Sequence, residues 1–216
     1  MRNNKIQIKN IAKIFSFQKN EEFLKEWIEH HANIFGLENI YIIDHNSNEN
    51  TQKIYQKYIK SGLNLIYYNG FFINKSKELS NLMNFYKDKT KYLIPIDGDE
   101  FICYKENDCI SNNKEFILSY LEKNTNIIAK FEMISYSNLL KNINPQNVIK
   151  ECEHFIEKEY SKENPGKKYY PAKHFIKTDQ GNHYGEISNN NIVKRSKLIL
   201  LHYEYKGYNK YIEKIK

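Results

Sequence analysis

The sequence predicts an α/β fold, in which helices flank a mostly parallel β-sheet. The first observation is that short apolar runs alternate with segments of helical periodicity in the first half of the chain, which is typical of parallel strands joined by crossover helices. The second is that 40% of the 216 residues are hydrophobic and 14% are aromatic. This composition is sufficient for a sizeable core and excludes a disordered polyelectrolyte. We therefore expect a single compact domain spanning residues 1–216.

The first half of the chain contains four apolar runs that predict strands. These strands are expected at residues 11–17, 39–43, 63–68 and 92–96. Apolar side chains spaced three or four residues apart predict the intervening helices, at residues 23–35, around 54–59 and at 75–87. Gly36 is expected to end the first helix. Such sheets bind ligands at the carboxyl ends of their strands, here residues 17–22, 43–47, 68–72 and 96–102.

After Phe101 the pattern changes, and periodic segments become sparser. A helix is predicted at residues 114–123, a long strand at 127–136, and one more apolar run at 198–201, which His202 follows. The sequence has no linker long enough to separate two domains. We interpret this half as an extension of the same sheet.

The net charge of +7 and the pI of about 9.0 favour an anionic partner. The lysines are spread along the chain without a helix-turn-helix, zinc-finger or RNP pattern, so no specific nucleic-acid partner is expected. Three cysteines without a C-x-x-C spacing predict reduced thiols. Because no apolar stretch approaches the length of a membrane span, we expect a cytoplasmic location, with peripheral contact to an anionic inner-membrane surface as a hypothesis.

The sharpest chemical signal is the segment Asp97-Gly98-Asp99-Glu100, at the end of the fourth predicted strand. Three carboxylates within four residues repel one another and are costly to bury unless a cation compensates them. Since Mg²⁺ and Mn²⁺ prefer oxygen ligands, the pattern predicts a divalent metal at Asp97 and Asp99. The alternative is a solvated turn between two strands.

Other polar residues near strand ends also allow two interpretations. Asp44 would either contact a ligand or cap the helix that follows it. Asn20 and Glu21 would either join a ligand site or form an ordinary helix start. His202 follows an apolar run, which by itself predicts a strand-end histidine.

A later polar loop, which contains Gly181 and Gly185, holds several residues able to accept a proton. They are Asp179, His183 and Glu186. A general base must lie within hydrogen-bond reach of the hydroxyl that it deprotonates. An ordinary flexible loop is an equally good interpretation, and the sequence does not rank the three residues.

Several of these motifs occur in an order that resembles a known group of enzymes. They are KNEEFLKEWIEHH at residues 19–31 with Gly36 after it, IYIIDHNS at 40–47, IDGDEF at 96–101, LHY at 201–203 and YIEK at 211–214. The ordered set looks like a family 2-like or family 92-like glycosyltransferase. The resemblance covers most of the chain and implies a GT-A fold, with a nucleotide-sugar half at about residues 1–102 and an acceptor half at about 103–216.

The resemblance also implies roles for individual residues. Asp97 and Asp99 would lie around the metal and the donor diphosphate, and Asp44 would contact the nucleoside. His202 would complete the metal shell, and because imidazole suits Mn²⁺ better than Mg²⁺, it favours manganese. The motif around Asn20 and Glu21 would help to bind the donor, and the acceptor-side candidates for the catalytic base would be Asp179, His183 and Glu186.

The implied function is that of a metal-dependent glycosyltransferase, which moves a sugar from a nucleotide diphosphate donor to an acceptor hydroxyl. UDP is the expected nucleotide, and the acceptor would be a glycan, a lipid-linked glycan or a protein. One alternative is another phosphate-handling metalloenzyme, such as a nucleotidyltransferase or a phosphohydrolase, although the expected glycine-rich loop or nucleophilic first-strand Asp is not seen. The other is a basic non-enzymatic module that binds nucleic acid or a membrane.

Overall fold

The computed structural model describes residues 10–107, 109–138, 155–158, 165–188 and 192–204. In the first half, four strands alternate with three helices, as predicted. The strands are β1 (Ala12–Gln18), β2 (Ile40–Asp44), β3 (Asn64–Tyr67) and β4 (Tyr92–Pro95). The helices are α1 (Leu24–Phe35), α2 (Glu49–Ile59) and α3 (Lys75–Tyr86). The motif at 211–214 lies outside the described residues.

Helix α1 shows how the local sequence sets these boundaries. Trp27, Ile28 and His31 lie on its buried face, as their helical spacing predicts. The helix ends at Gly36, whose φ of 86° lies in the left-handed region and whose N–H donates to Ala32 O at 2.9 Å. Glycine reaches this conformation at little cost, so the predicted stop is confirmed.

The four strands of the first half are all parallel and lie in the order β3-β2-β1-β4. The chain moves outward from β1 through β2 to β3 and then returns to the other side of β1 for β4. The point between β1 and β4 is therefore the topological switch point of the sheet, where open α/β sheets bind ligands beyond the carboxyl ends of the strands. The α/β class and this parallel arrangement are confirmed.

The second half extends the same sheet, as predicted, but mixes strand directions. Its elements are β5 (Glu100–Glu106), β6 (Cys109–Ser111), α4 (Lys114–Lys123), β7 (Lys130–Asn138), β8 (Phe155–Glu157), β9 (Lys167–Pro171), β10 (Phe175–Lys177), β11 (Glu186–Ile187) and β12 (Val193–His202). Strand β9 joins β4 in the antiparallel sense, and the order continues β9-β7-β12-β5-β6. Strands β10 and β11 form a separate pair.

The core lies on both faces of the sheet, because alternate residues of each strand point in opposite directions. Ile14 belongs to the cluster that α1, α2 and α4 cover, with Trp27 at its centre, whereas Phe15 belongs to the cluster that α3 covers through Leu79 and Met83. Within the described residues, no helix combines the length and apolarity needed to cross a membrane.

Candidate functional site

The turn after β4 holds the carboxylates that the sequence singled out. Trp27 Nε1 donates to Asp97 O at 3.0 Å, and Asp97 N donates to Glu100 Oε2 at 2.9 Å. Gly98 is buried, and a Cβ there would collide with the side chain of Glu21. Because Glu100 is fully buried, the alternative of a simple solvated turn is wrong.

Asp97 lies between two buried lysines, and we call this group the lysine side of the turn. Its Oδ1 accepts from Lys75 Nζ at 2.8 Å, and its Oδ2 accepts from Lys167 Nζ at 2.5 Å. Lys167 Nζ also lies 3.4 Å from Glu100 Oε1. Burial opposes ionisation of Asp97, but Lys167 and Lys75 more than offset it and hold its pKa well below the ordinary value.

The same electrostatic pairing acts on Lys167. Burial alone would lower the pKa of its ammonium group, but Glu100 and Asp97 outweigh burial and raise that pKa. Lys167 reaches this position because β9 runs antiparallel to β4, so the first residue of β9 lies beside the carboxyl end of β4. Asp97 and Lys167 are therefore both charged at neutral pH.

Asp99 faces the opposite direction, toward His202, and we call this group the histidine side. His202 pairs in register with Glu100 through β12 and β5, which places its Nε2 3.5 Å from Asp99 Oδ1. Burial lowers the pKa of His202, but the hydrogen bond to Asp99 and the charge of Glu100 raise it more, so the net shift is upward. Lys158 Nζ lies 3.3 Å from His202 Nδ1 and 2.7 Å from a carboxylate oxygen of Glu204.

The two sides differ in how well they fit a divalent cation. Asp99 Oδ1 and His202 Nε2 are one oxygen and one nitrogen donor at a separation that a single metal can bridge. Both oxygens of Asp97 are instead occupied by ammonium groups, so Asp97 does not fit as a direct ligand. In the described part of the chain, no group of three or more His, Cys, Asp or Glu side chains could hold a metal. The remaining ligands would have to come from substrate or water.

Asp44 is buried at the end of β2, with only one of its two carboxylate oxygens engaged. Oδ2 accepts from Gln52 Nε2 at 2.6 Å and from Ser47 N at 3.3 Å, whereas Oδ1 is buried without a hydrogen-bond partner. The capping alternative is wrong, because the N-cap of α2 is Asn48, whose side chain accepts from Thr51 N. A buried carboxylate oxygen without a partner is rare and suits a hydrogen-bond donor from a ligand.

Asn20 joins the loops that follow β1 and β2. Its N–H donates to Ser47 Oγ at 2.9 Å, and its Oδ1 accepts from Asn48 N at 2.7 Å. Its φ of 52° is left-handed, a conformation that Asn tolerates better than most residues. The alternative of an ordinary helix start is wrong, since α1 begins at Leu24 and has no side-chain cap. Glu21 packs beside the turn at Gly98.

The three acceptor-side candidates have different surroundings. Asp179 accepts from the backbone N–H groups of Tyr184, Gly181 and Gly185, which outweigh the opposing effect of burial and lower its pKa. Glu186 is exposed and pairs with Lys177 at 2.9 Å. The carboxylate of Asp179 therefore binds the backbone of its own loop, and that of Glu186 pairs with a surface lysine.

His183 is the candidate whose pKa is affected by two residues of the lysine side, Lys167 and Glu100. Its Nδ1 donates to Pro165 O at 2.8 Å, which leaves Nε2 as the nitrogen that can accept a proton. Burial and the charge of Lys167 lower its pKa, against weaker raising effects that include Glu100, so the neutral form is favoured. Gly181 makes room for the ring, because a Cβ at that position would collide with the imidazole.

Sequence reasoning did not identify Lys75, Lys167 or Gln52 as site residues. The chain contains 33 Lys and Arg residues, so two functional lysines do not stand out. Lys75 starts α3, and Lys167 depends on the antiparallel register of β9, which no local pattern encodes.

No protein-family model matches the chain, and no curated protein matches it in sequence. Among solved structures, TarS 1-349 from S. aureus is 15% identical, with 75% of this chain and 47% of that chain covered and a TM-score of 0.45. HddC from Yersinia pseudotuberculosis is 13% identical, with coverages of 96% and 100% and a TM-score of 0.46. The 4-diphosphocytidyl-2C-methyl-D-erythritol synthase from Anaerococcus prevotii is 9% identical, with coverages of 95% and 97% and a TM-score of 0.43.

This chain thus spans about half the length of the TarS fragment. Identities and TM-scores this low identify neither a substrate nor a reaction. The fold assignment rests on the strand order instead.

Proposed function

We propose that this chain is a glycosyltransferase, which transfers a sugar from a nucleotide diphosphate donor, with UDP as the first nucleotide to test, to an acceptor hydroxyl. The observation that carries the proposal is the position of Asp97 and Asp99 at the switch point between β1 and β4, where α/β sheets bind nucleotides. The unpartnered Oδ1 of Asp44, at the end of the neighbouring β2, supports it. That oxygen can accept a hydrogen bond from the nucleoside of the donor.

The charge balance of the turn supports a metal requirement. Lys75 and Lys167 are already paired with Asp97 and Glu100, so they leave little positive charge for an incoming diphosphate. Mn²⁺ or Mg²⁺ held by Asp99 and His202 would neutralise the developing charge on the diphosphate leaving group. Asn20 would keep the loops around the donor in place, and Glu21 would line them.

His183 is the best-supported catalytic base. In an inverting transfer, the acceptor oxygen forms a bond to the anomeric carbon of the donor while the bond from that carbon to the diphosphate breaks, with its electron pair going to the diphosphate. The proton of the acceptor hydroxyl would pass to His183 Nε2. Asp179 would hold the loop that carries this histidine, as its three backbone hydrogen bonds indicate.

The reaction type is tested by product analysis. The protein is incubated with a panel of UDP-sugars and acceptors, with and without Mn²⁺ or Mg²⁺, and the released UDP is measured by mass spectrometry. We expect metal-stimulated UDP release that His183→Asn strongly reduces and that Glu186→Gln leaves unchanged.

A second arm supplies UTP or CTP with sugar phosphates and measures pyrophosphate. Pyrophosphate release without UDP release would replace the proposal with nucleotidyl transfer. If no nucleotide sugar and no nucleoside triphosphate gave a product, an enzymatic role at this site would be overturned.

A further inference from the structure

Four large apolar side chains lie exposed within the seven residues from 67 to 73, which begin at the last residue of β3. They are Tyr67, Phe71, Phe72 and Ile73, with exposed fractions of 62%, 80%, 55% and 78%. We call Phe71, Phe72 and Ile73 the apolar rim. A contiguous exposed apolar cluster usually marks a binding surface.

The backbone of the apolar rim is held in place by hydrogen bonds. Asn74 N donates to Phe71 O at 3.0 Å, and Tyr68 OH donates to the same oxygen at 3.3 Å. His45 Nε2 donates to Gly70 O at 2.8 Å, just before the rim. These contacts fix the backbone of the segment, the Phe72 ring packs on Phe17 and His45, and Phe71 and Ile73 remain exposed in the absence of a ligand.

The apolar rim lies between the turn after β4, which holds Asp97, and the loop that carries His183. Lys75, two residues after Ile73, binds Asp97. Gln180 Nε2 donates to Phe72 O at 3.2 Å, and Gln180 Oε1 accepts from Ser76 N at 3.4 Å. Gln180 belongs to the same loop as His183. The segment that carries the rim is therefore bonded both to the turn at Asp97 and to the loop that carries His183.

The chemistry around the apolar rim favours an uncharged ligand. Carboxamides border it: Asn74 adjoins Ile73, Asn69 pairs with Asn46 at 2.8 Å, and Gln180 binds the rim itself. The nearest cation along the chain, Lys75, is already paired with Asp97. An anionic membrane would instead require a cluster of exposed Lys or Arg beside the apolar side chains, and within residues 67–80 the exposed Lys77 stands alone, next to Glu78.

We propose that the apolar rim binds a neutral carbohydrate acceptor, with the C–H face of a sugar ring packed on Phe71 and Ile73 and its hydroxyls bonded to the neighbouring carboxamides. The flat ring of Phe71 and the aliphatic side chain of Ile73 provide the apolar contact, and the neighbouring carboxamides provide hydrogen-bond donors and acceptors. This inference rests on the proposed glycosyltransferase function and specifies its acceptor as a glycan, in preference to a protein or a lipid surface.

The test uses the full chain and the double variant Phe71→Ala/Ile73→Ala, with Phe85→Ala as a matched control. Phe85 is an exposed phenylalanine, 66% accessible, near the other end of α3. Binding is measured on an immobilised array of neutral oligosaccharides, with and without UDP and Mn²⁺. We expect the wild type to bind at least one class of glycan and the double variant to bind it about tenfold or more weakly, with Phe85→Ala unchanged.

Two results would overturn the acceptor assignment: a wild type that binds no glycan on the array, or a double variant that binds as well as the wild type. A further arm measures flotation with vesicles of equimolar phosphatidylglycerol and phosphatidylcholine. If the wild type and Phe85→Ala floated and the double variant did not, the rim would be a lipid-binding surface and the acceptor assignment would be wrong. UDP binding is measured in parallel on all three proteins. A wild type that binds no UDP would refute the proposed function separately, because glycan binding to the rim does not require UDP binding.

Discussion

The lysine side and the histidine side of the turn begin two residues apart and have opposite properties. Asp97 is enclosed by Lys75 and Lys167, with both of its oxygens occupied. Asp99 Oδ1 lies 3.5 Å from the imidazole Nε2 of His202. The carboxylate of Asp97 is thus neutralised by ammonium groups, whereas that of Asp99 lies beside an imidazole, which is the pair that we propose for the metal.

The two aspartates of this D-x-D motif therefore lie in different electrostatic surroundings. The buried network of Asp97, Glu100 and Lys167 fixes the turn, because removing one charge would leave its partners buried and uncompensated. Asp99 follows this framework in the chain and is the carboxylate that we propose for the metal. Substitutions at Lys167, Asn20, Asp179 and Asp99 test these assignments.

The largest effect is expected when the lysine side is broken. Lys167→Met leaves Glu100 and Asp97 without their shared cation, and we expect the free energy of unfolding to fall by about 3–5 kcal/mol. Chemical denaturation measures this change. The control is Lys177→Met, whose exposed pair with Glu186 should contribute at most about 1 kcal/mol. Equal stability of the two variants would mean that the lysine side is not a structural framework.

A smaller effect tests the contact between the loops that follow β1 and β2. Asn20→Ala and Asn20→Gly both remove the side-chain oxygen that accepts from Asn48 N. Only alanine also strains the left-handed backbone at φ 52°. We expect the alanine variant to be less stable than the glycine variant by about 1–2 kcal/mol in chemical denaturation. If the two variants were equally stable, the backbone at Asn20 would not be constrained as the structure indicates.

The smallest effect concerns the acceptor loop and depends on pH. The pKa of Asp179 is lowered in the folded state, so its charge stabilises the fold above its unfolded pKa of about 3.9 and this contribution is lost as pH falls through the folded pKa. We expect Asp179→Asn to lower stability by about 1 kcal/mol at pH 7 and by less below about pH 4. Thermal unfolding of both proteins from acid to neutral pH measures the difference. A gap that widened toward acid would contradict the assignment.

The sequence predicts the first half of the fold well because its signals are local. Apolar periodicity places α1, and Gly36 marks its end. The parallel direction of β1 to β4 follows from strand–helix alternation, although their order does not, and the carboxyl-end rule leads directly to Asp97 and Asp99. These inferences need no knowledge of distant residues.

The remaining site residues depend on contacts that are distant in sequence. Lys167 meets Asp97 across 70 residues, and His202 meets Asp99 through the antiparallel register of β12 and β5. The motif at 201–203 drew attention to His202 only through the resemblance. No local pattern distinguishes Lys75 and Lys167 from the many other lysines, so their roles require the tertiary structure.

The central claim is that Asp99, and not the framework around Asp97, makes nucleotide binding depend on a metal. The most direct measurement is calorimetric titration of UDP into the wild type, Asp99→Asn and the control Asp88→Asn, each with and without Mn²⁺. Asp88 is an exposed acid between α3 and β4. We expect UDP to bind the wild type and the control in a Mn²⁺-dependent manner and to bind Asp99→Asn with an affinity lower by about tenfold or more. UDP binding that changes neither with Mn²⁺ nor with the Asp99 substitution would contradict the claim.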